Sequence, residues 1–454
     1  MDPALHALNR FGLGARIGER RGLSDPRAWL RDQLGQSVPV PRGMSSPMDV
    51  AAALRALRAA QSSSDQAATM RARRQVIALA GADMNAVLAE RITTERPFVE
   101  RLVAFWSNHL CVSSAGKALV APQAGGYERD AIRPHVLGRF EDMVQASARH
   151  PAMLLYLDNA QSIGPGSRAA RGRPRARAGA QRGLNENYAR ELLELHTLGV
   201  AGGYDQQDVQ ELARMLTGWT VGGLPFGRRG AGQEGPLRFS FDAQLHEPGA
   251  KTLLGTRYEE AGEEEGTRAI RALCRHPSTA QFVATKLVRH FVADSPPEDA
   301  VAAVARTFTD TGGDLRETAR TLVGLPQAWN GEQRKFRTPQ DWLIAVLRSL
   351  SADRVSEAIP PLLRQLRHPL WSPAAPNGFG DTTQEWADPD ALLNRAELAR
   401  SIASRMPRSF DPHALLDVVD IGASDPLRGM LADAGIPAED RVALAIASPA
   451  FQWR

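Results

Sequence analysis

Two glutamates one turn apart, Glu191 and Glu194, stand with Asn187 and Arg190 in the stretch "NENYARELLELHTLGV", residues 185 to 200. On a helix, Asn187, Glu191 and Glu194 lie within about 60° of one another with Arg190 at their edge, while Tyr188, Leu192, Leu195 and Leu198 form an apolar side. Two such carboxylates can share a proton, so that one acts as general acid while the other stays ionised. They could also offer oxygen ligands to a hard cation. The same spacing equally lets Arg190 pair with Glu186 and Glu194 on a solvated face, each pair contributing a few tenths of a kcal/mol. His196 falls on the opposite side, among Ala189 and Leu192. A ferritin-like di-iron site needs Glu-x-x-His on one face, and the residue three after Glu194 is Thr197.

Three other places carry candidate chemistry. "VERLVAFWSNHLCV" sets Phe98, Leu102, Phe105, Trp106 and His109 on one helical face. That face is either core, with the His109 ring satisfied internally, or the wall of a cavity in which Trp106 and His109 offer an aromatic surface and a polar tip. "LHEPGAK" is a turn bearing His246, Glu247 and Lys251, and a turn can reach over a cleft or remain an ordinary polar tip. Trp219 follows Gly218 at the end of "ELARMLTGWT", as substrate contact or as the hydrophobic anchor after a glycine helix stop. His6, Asn9 and Arg10 complete the set. Walker loops, dinucleotide fingerprints, His-Glu-x-x-His and Gly-x-Ser-x-Gly elbows do not occur in the sequence, which lowers the corresponding enzyme classes.

Helices must position these residues. Prolines recur just inside apolar-periodic segments at His150-Pro151, Asp388-Pro389, Asp411-Pro412 and Asp425-Pro426, where proline forgoes an amide hydrogen that has no partner and a preceding aspartate caps free amides. Capping boxes are expected at Ser278, Thr338 and Asp314. "AQFVATKLVRHFV" and "PQDWLIAVLRSL" repeat apolar residues at three and four, as amphipathic helices do. Strand signals are scarce: Phe239 and Phe241 alternate with polar residues, a Pro248-Gly249 turn follows, and Thr252 to Leu254 could return beside them. The expected fold is mainly α, a multi-helix globular protein with one small β-hairpin around residues 237–257. Its organisation is expected to be an N-terminal helical region over 1–160, a flexible Arg-rich insertion over 161–183, and a C-terminal helical region over 184–454 packed with the first as one domain.

A chain of 454 residues, 43% hydrophobic and 23% charged, can bury a sizeable core. Of its 55 basic residues only four are lysine, and the formal net charge is +4, so charge says little about partners. The segment 161–183 holds six arginines and no acid; it reads as a flexible insertion or an arm for nucleic acid or acidic lipid, and nucleic acid is not expected elsewhere. Cys111 and Cys274 form no disulfide framework or CxxC pair. With no secretory apolar run, and no stretch approaching ~18 apolar residues, the chain as written is expected to be cytoplasmic, without a transmembrane segment.

The blocks "LNRFGLGA", "ERLVAFWSNHLCVS", "NENYARELLELHTLGV", "DVQELARMLTGWT", "LHEPGAKTLLG", "HPSTAQFVATKLVRHFVADSPP", "TGGDLRETARTLV" and "ASPAFQWR" occur in that order. In this the chain resembles the bacterial domain-of-unknown-function 1800 family from about residue 7 to the end. The resemblance implies no established activity; its members are often exported and often encoded beside another uncharacterised family. Three departures stand out. Ser107 occupies the place where many relatives have the first histidine of a His-Asn-His run, Glu247 replaces an aspartate after His246, and the Arg-rich insertion precedes the central motif.

Three functions follow as expectations, with cofactor and partner unspecified. One is a hydrolase or lyase acting on a polar polymer or glycan-like substrate. In it Glu191 and Glu194 are acid and base with His109 and His246 in the site, and Asn187, Arg190, Trp106, Trp219 and Lys251 hold substrate. Another is a non-catalytic helical scaffold whose polar face binds a partner protein. The third is a metal-dependent oxidoreductase built on His109, His246 and a carboxylate.

Overall fold

The computed structural model describes residues 2–63, 65–171, 183–223, 235–331, 333–351 and 359–454. It is predominantly helical, and its strands among the described residues form two separate two-stranded antiparallel sheets. The elements that frame the candidate residues are α1 (Gln66–Thr93), α2 (Pro97–His109), α3 (Glu186–Glu191), α4 (Gln206–Met215), β1 (Trp219–Gly222), β2 (Arg238–Phe241), β3 (Lys251–Leu253), β4 (Thr256–Tyr258), α5 (Glu263–Cys274), α6 (Pro277–Phe291) and α7 (Pro339–Ser349). No described helix is long and apolar enough to cross a membrane.

Most helix starts obey their local chemistry. Asp388 caps Ala391, Thr338 caps Asp341 at the head of α7, and Asp314 takes both Arg316 and Glu317. The capping box expected at Ser278 is displaced: α6 begins at Pro277 and the His276 ring accepts from Ser278 N–H. A histidine nitrogen does what a hydroxyl was expected to do. After Asp411, Pro412–Asp417 winds as a 3₁₀ helix instead of an α-helix.

The expected single hairpin is corrected. Arg238–Phe241 does not pair with residues 252–254; it returns to β1 in the register Trp219↔Phe241, Thr220↔Ser240, Val221↔Phe239 and Gly222↔Arg238. Trp219 and Val221 are the buried members of β1, and alternation puts Phe241 and Phe239 on the same face, the Trp219 and Phe239 rings 5.1 Å apart at 79°. The apolar partners of the two phenylalanines thus lie upstream. Lys251–Leu253 instead forms a tight hairpin with Thr256–Tyr258, which Gly255 at φ +73° allows.

The chain ends and the middle share one core, which includes Phe11, Phe98, Trp106, Tyr188, Phe291 and Trp342. α1 from the first third packs on α7 from the last. Arginine is used inside as well as outside. Arg133 takes Glu100 in two bonds of 2.7 and 2.9 Å and Glu128 in two of 2.8 and 3.1 Å, and Arg91 adds a third contact to Glu128 at 3.0 Å. A planar guanidinium fork can serve two carboxylates at once. The middle of the Arg-rich insertion, residues 172–182, lies outside the described residues. Its upstream end is tied down, Gly164 N–H to the Leu245 carbonyl at 2.9 Å and Gly166 N–H to the Glu247 carboxylate at 2.7 Å.

Candidate functional site

The apolar stripe of α6, Ala280, Val283, Ala284, Leu287, Val288 and Phe291, is buried in the core. Lys286, Arg289 and His290 sit at i, i+3 and i+4 on a neighbouring face and line a cavity of about 260 Å³, at the small end of ligand pockets. The end of α2 supplies Phe105, Ser107, Asn108 and His109, the start of α7 supplies Thr338, Gln340 and Asp341, and the segment 368–385 closes the far wall with His368, Trp371, Phe379, Asp381 and Glu385.

That closing segment is held by specific contacts. Asn108 donates to the Phe379 carbonyl at 2.9 Å and accepts from Phe379 N–H at 2.8 Å. Gly378 has φ +78°, and a Cβ there would lie 2.5 Å from the Asn108 carbonyl oxygen, so this close approach requires glycine. Trp371 adopts φ +49°, a conformation that bulky residues keep only when their surroundings enforce it. Its indole N–H is fixed on Glu128 at 3.0 Å, which joins the cavity wall to the buried arginine network.

The central pair is His290 and Asp381, Nδ1 to Oδ2 at 2.8 Å. Burial alone would raise the Asp381 carboxyl, but His290, Lys335 and Arg454 hold it down to about 2, so it is ionised and accepts only. His290 Nδ1 therefore donates, which leaves the lone pair on Nε2. That Nε2 is buried and has no hydrogen-bond partner among the described residues. Burial lowers the His290 pKa, and Arg454 and Arg101 add to this against the pull of Asp381. The ring is thus neutral near pH 7.

Beside it, Asp341 binds Arg101 at 3.0 Å and Arg454 at 3.3 Å, and these cations keep it well below the usual carboxylate range despite its burial. Arg454 also donates to the His290 carbonyl at 3.1 Å and to the Arg10 carbonyl at 3.0 Å. The chain's last described side chain therefore helps set where the dyad stands. Lys286 has an aromatic contact, its Nζ 5.5 Å from the Phe282 ring centre. Burial pushes it down to about 8, Arg289 lowering it further and Cys111 and Asp381 opposing. The Cys111 thiol is pushed up to about 12 by burial, which makes it a poor nucleophile.

Of the nine residues given a catalytic or substrate-holding role from the sequence, His109 lines this cavity and the other eight do not. His109 binds the His196 carbonyl through Nε2 at 3.1 Å, and its Nδ1 is buried without a partner among the described residues. Trp106 is core, edge-on to Phe105 and His109. Trp219 is fully buried under the Arg149 guanidinium, 5.2 Å from its ring centre. Asn187 is exposed, and Arg190 bridges Glu186 at 3.7 Å and Glu194 at 3.8 Å while donating to Gln206 at 2.9 Å. Glu191 is half-buried; burial and then Glu194 raise its pKa against Arg190. After Glu191 the backbone widens into a π-turn, Leu192–His196. His196 still falls with the leucines, at 2% exposure, while Leu195 turns half out.

His246 and Lys251 do meet, around Glu265 of α5. Lys251 Nζ is 2.7 Å and His246 Nε2 3.4 Å from its carboxylate, and His246 Nδ1 donates to the Thr217 carbonyl at 2.9 Å. Burial is outweighed by His246, Lys251 and the Ala261 N–H, which hold Glu265 down to about 2. The trio is closed, locking the β3–β4 hairpin to the head of α5. His6, Asn9 and Arg10 are likewise internal ties, to the Ala328, Val418 and Val292 carbonyls. Among the described residues no group of three or more histidines, cysteines or acids could hold a metal ion.

Sequence reasoning passed over Lys286, Arg289, His290, Asp341 and Asp381. "TKLVRHF" reads as an amphipathic helix, and only the i, i+3, i+4 placement of three basic side chains hinted at a second polar stripe. Asp381 lies in "NGFGDTT", which has no periodicity.

No curated protein and no solved structure matches the chain. The model of the family described as "Protein of unknown function (DUF1800)" matches residues 6–453, nearly the whole chain, and the protein belongs to that family.

Proposed function

We propose that the protein is a hydrolase or lyase acting on a polar, glycan-like substrate, with its chemistry in the cavity between α2, α6 and the segment 368–385. The observation that carries this reading is the His290–Asp381 dyad: a neutral imidazole, oriented by an ionised carboxylate, whose second nitrogen, buried and without a partner among the described residues, carries the lone pair a base needs. In elimination Nε2 would remove the proton beside an acidifying group as the C–O bond to the leaving sugar breaks, and the imidazolium would return that proton to the departing oxygen. In hydrolysis it would take a proton from the water that attacks the anomeric carbon and return it to the departing glycosidic oxygen. Trp371 and Phe379 supply the apolar wall that a sugar ring packs on, and Gln340, Thr338 and Asn108 the polar edge.

The test is turnover by the full chain on uronate-containing and neutral polysaccharides. It follows the ultraviolet absorbance of an unsaturated product for elimination and new reducing ends for hydrolysis. Loss of the signal in His290→Gln supports the reading; undiminished turnover in that variant ends it.

A second reading keeps the chemistry on Glu191 and Glu194, favoured by the raised Glu191 carboxyl. In it Glu191→Gln abolishes turnover and His290→Gln does not. The scaffold reading is favoured by the exposure of Asn187 and the partial exposure of Arg190 and Glu194. It predicts a partner that co-purifies with the wild type and is lost from Glu191→Arg.

A further inference from the structure

Charges on the cavity wall are unevenly paired. Arg91 is paired with Glu128 and Arg101 with Asp341; Asp381 keeps its charge while hydrogen-bonded to the neutral His290 ring, and Glu385 keeps its own while accepting from Thr382 N–H at 2.9 Å. Lys286 and Arg289 remain, one turn apart on α6, and among the described residues neither has a carboxylate within ion-pairing distance. The carbonyl end of α6 accounts for part of this, since a cation in the last turn of a helix is favoured. Yet Phe291 and Val292 already give their carbonyls to Arg10, and Lys286 stands more than a turn further back. Two neighbouring like charges at a partly dry surface are costly unless an anion sits between them.

We infer that Lys286 and Arg289 form an oxyanion-binding subsite, so that the unit bound in the cavity is an acidic one, a carboxylate- or sulfate-bearing sugar residue. This rests on the reading that the cavity is the active site, and deepens it. Arg289 offers a planar fork and Lys286 a point charge, both on the helix that carries His290. A carboxylate bound there is neutralised next to the base, which acidifies the adjacent C–H bond as proton abstraction requires.

The experiment is calorimetric titration of the full chain with glucuronate, sodium sulfate and glucose. We expect glucuronate, sulfate or both to bind and glucose not to. Lys286→Met and Arg289→Met should each weaken binding by about tenfold or more, as loss of a charge-assisted contact does, while Arg289→Lys keeps part of it. Preference for glucuronate identifies a carboxylate, and preference for sulfate a sulfate ester. Absence of anion binding, equal binding of glucose, or binding unchanged in both methionine variants overturns the inference. If His290-dependent turnover of a neutral glycan persists in that case, the general-base reading survives it.

Discussion

His290 Nδ1 lies 2.8 Å from the Asp381 carboxylate, joining the last turn of one helix to an irregular segment 91 residues downstream. The carboxylate fixes the tautomer, so the two residues act as a unit. His290→Gln should lower kcat by about a hundred- to ten-thousandfold, the usual contribution of a general base. Asp381→Asn should do comparable damage, because an amide can donate to Nδ1 and move the proton to Nε2. Steady-state kinetics beside circular dichroism checks both, and the fold should survive.

The pH profile should be bell-shaped. His290 is lowered from its ordinary value, so its basic form appears as pH rises through the acidic range below about 6.5, and activity climbs there. Lys286 is pushed down to about 8. Its charge is present below that value and lost above it, so anion affinity should fall as pH rises through about 8. A KM that rises there while kcat holds would be the signature; in Lys286→Arg the alkaline limb should move beyond the range studied.

Lys251 and Glu265 form a closed internal pair, and Lys251→Met should cost about 3–5 kcal/mol of stability because a buried carboxylate is left behind. Denaturant unfolding measures it. Glu265 is depressed to about 2, so its contribution is fully present above the ordinary glutamate range and is lost as pH falls toward 2. The wild type should therefore lose stability on acidification more steeply than Lys251→Met.

Gly378→Ala should loosen the cavity's far wall. The new Cβ would meet the Asn108 carbonyl, and φ +78° disfavours any L side chain, together costing upwards of about 1–2 kcal/mol. A lowered Tm with a raised KM would report displacement of Phe379 and Asp381.

The sequence by itself determined that the protein is mainly helical and where most helices begin, because capping, proline placement and apolar periodicity act within a few residues. It also placed His196 with the leucines, and that held through the π-turn because the histidine had one buried side to join. Tertiary structure decided which strand Phe239 and Phe241 pair with, since either neighbour satisfied their alternation and only the buried Trp219 face completed it. It decided as well that His246 and Lys251 close around Glu265, a residue on another element. Above all it decided the cavity. His290 becomes a candidate base only when Asp381 is brought beside it, and Lys286 and Arg289 stand out only once Arg91 and Arg101, the other cations on the wall, are seen to be ion-paired. Those relations join elements far apart in the chain, and helical spacing carries no record of them.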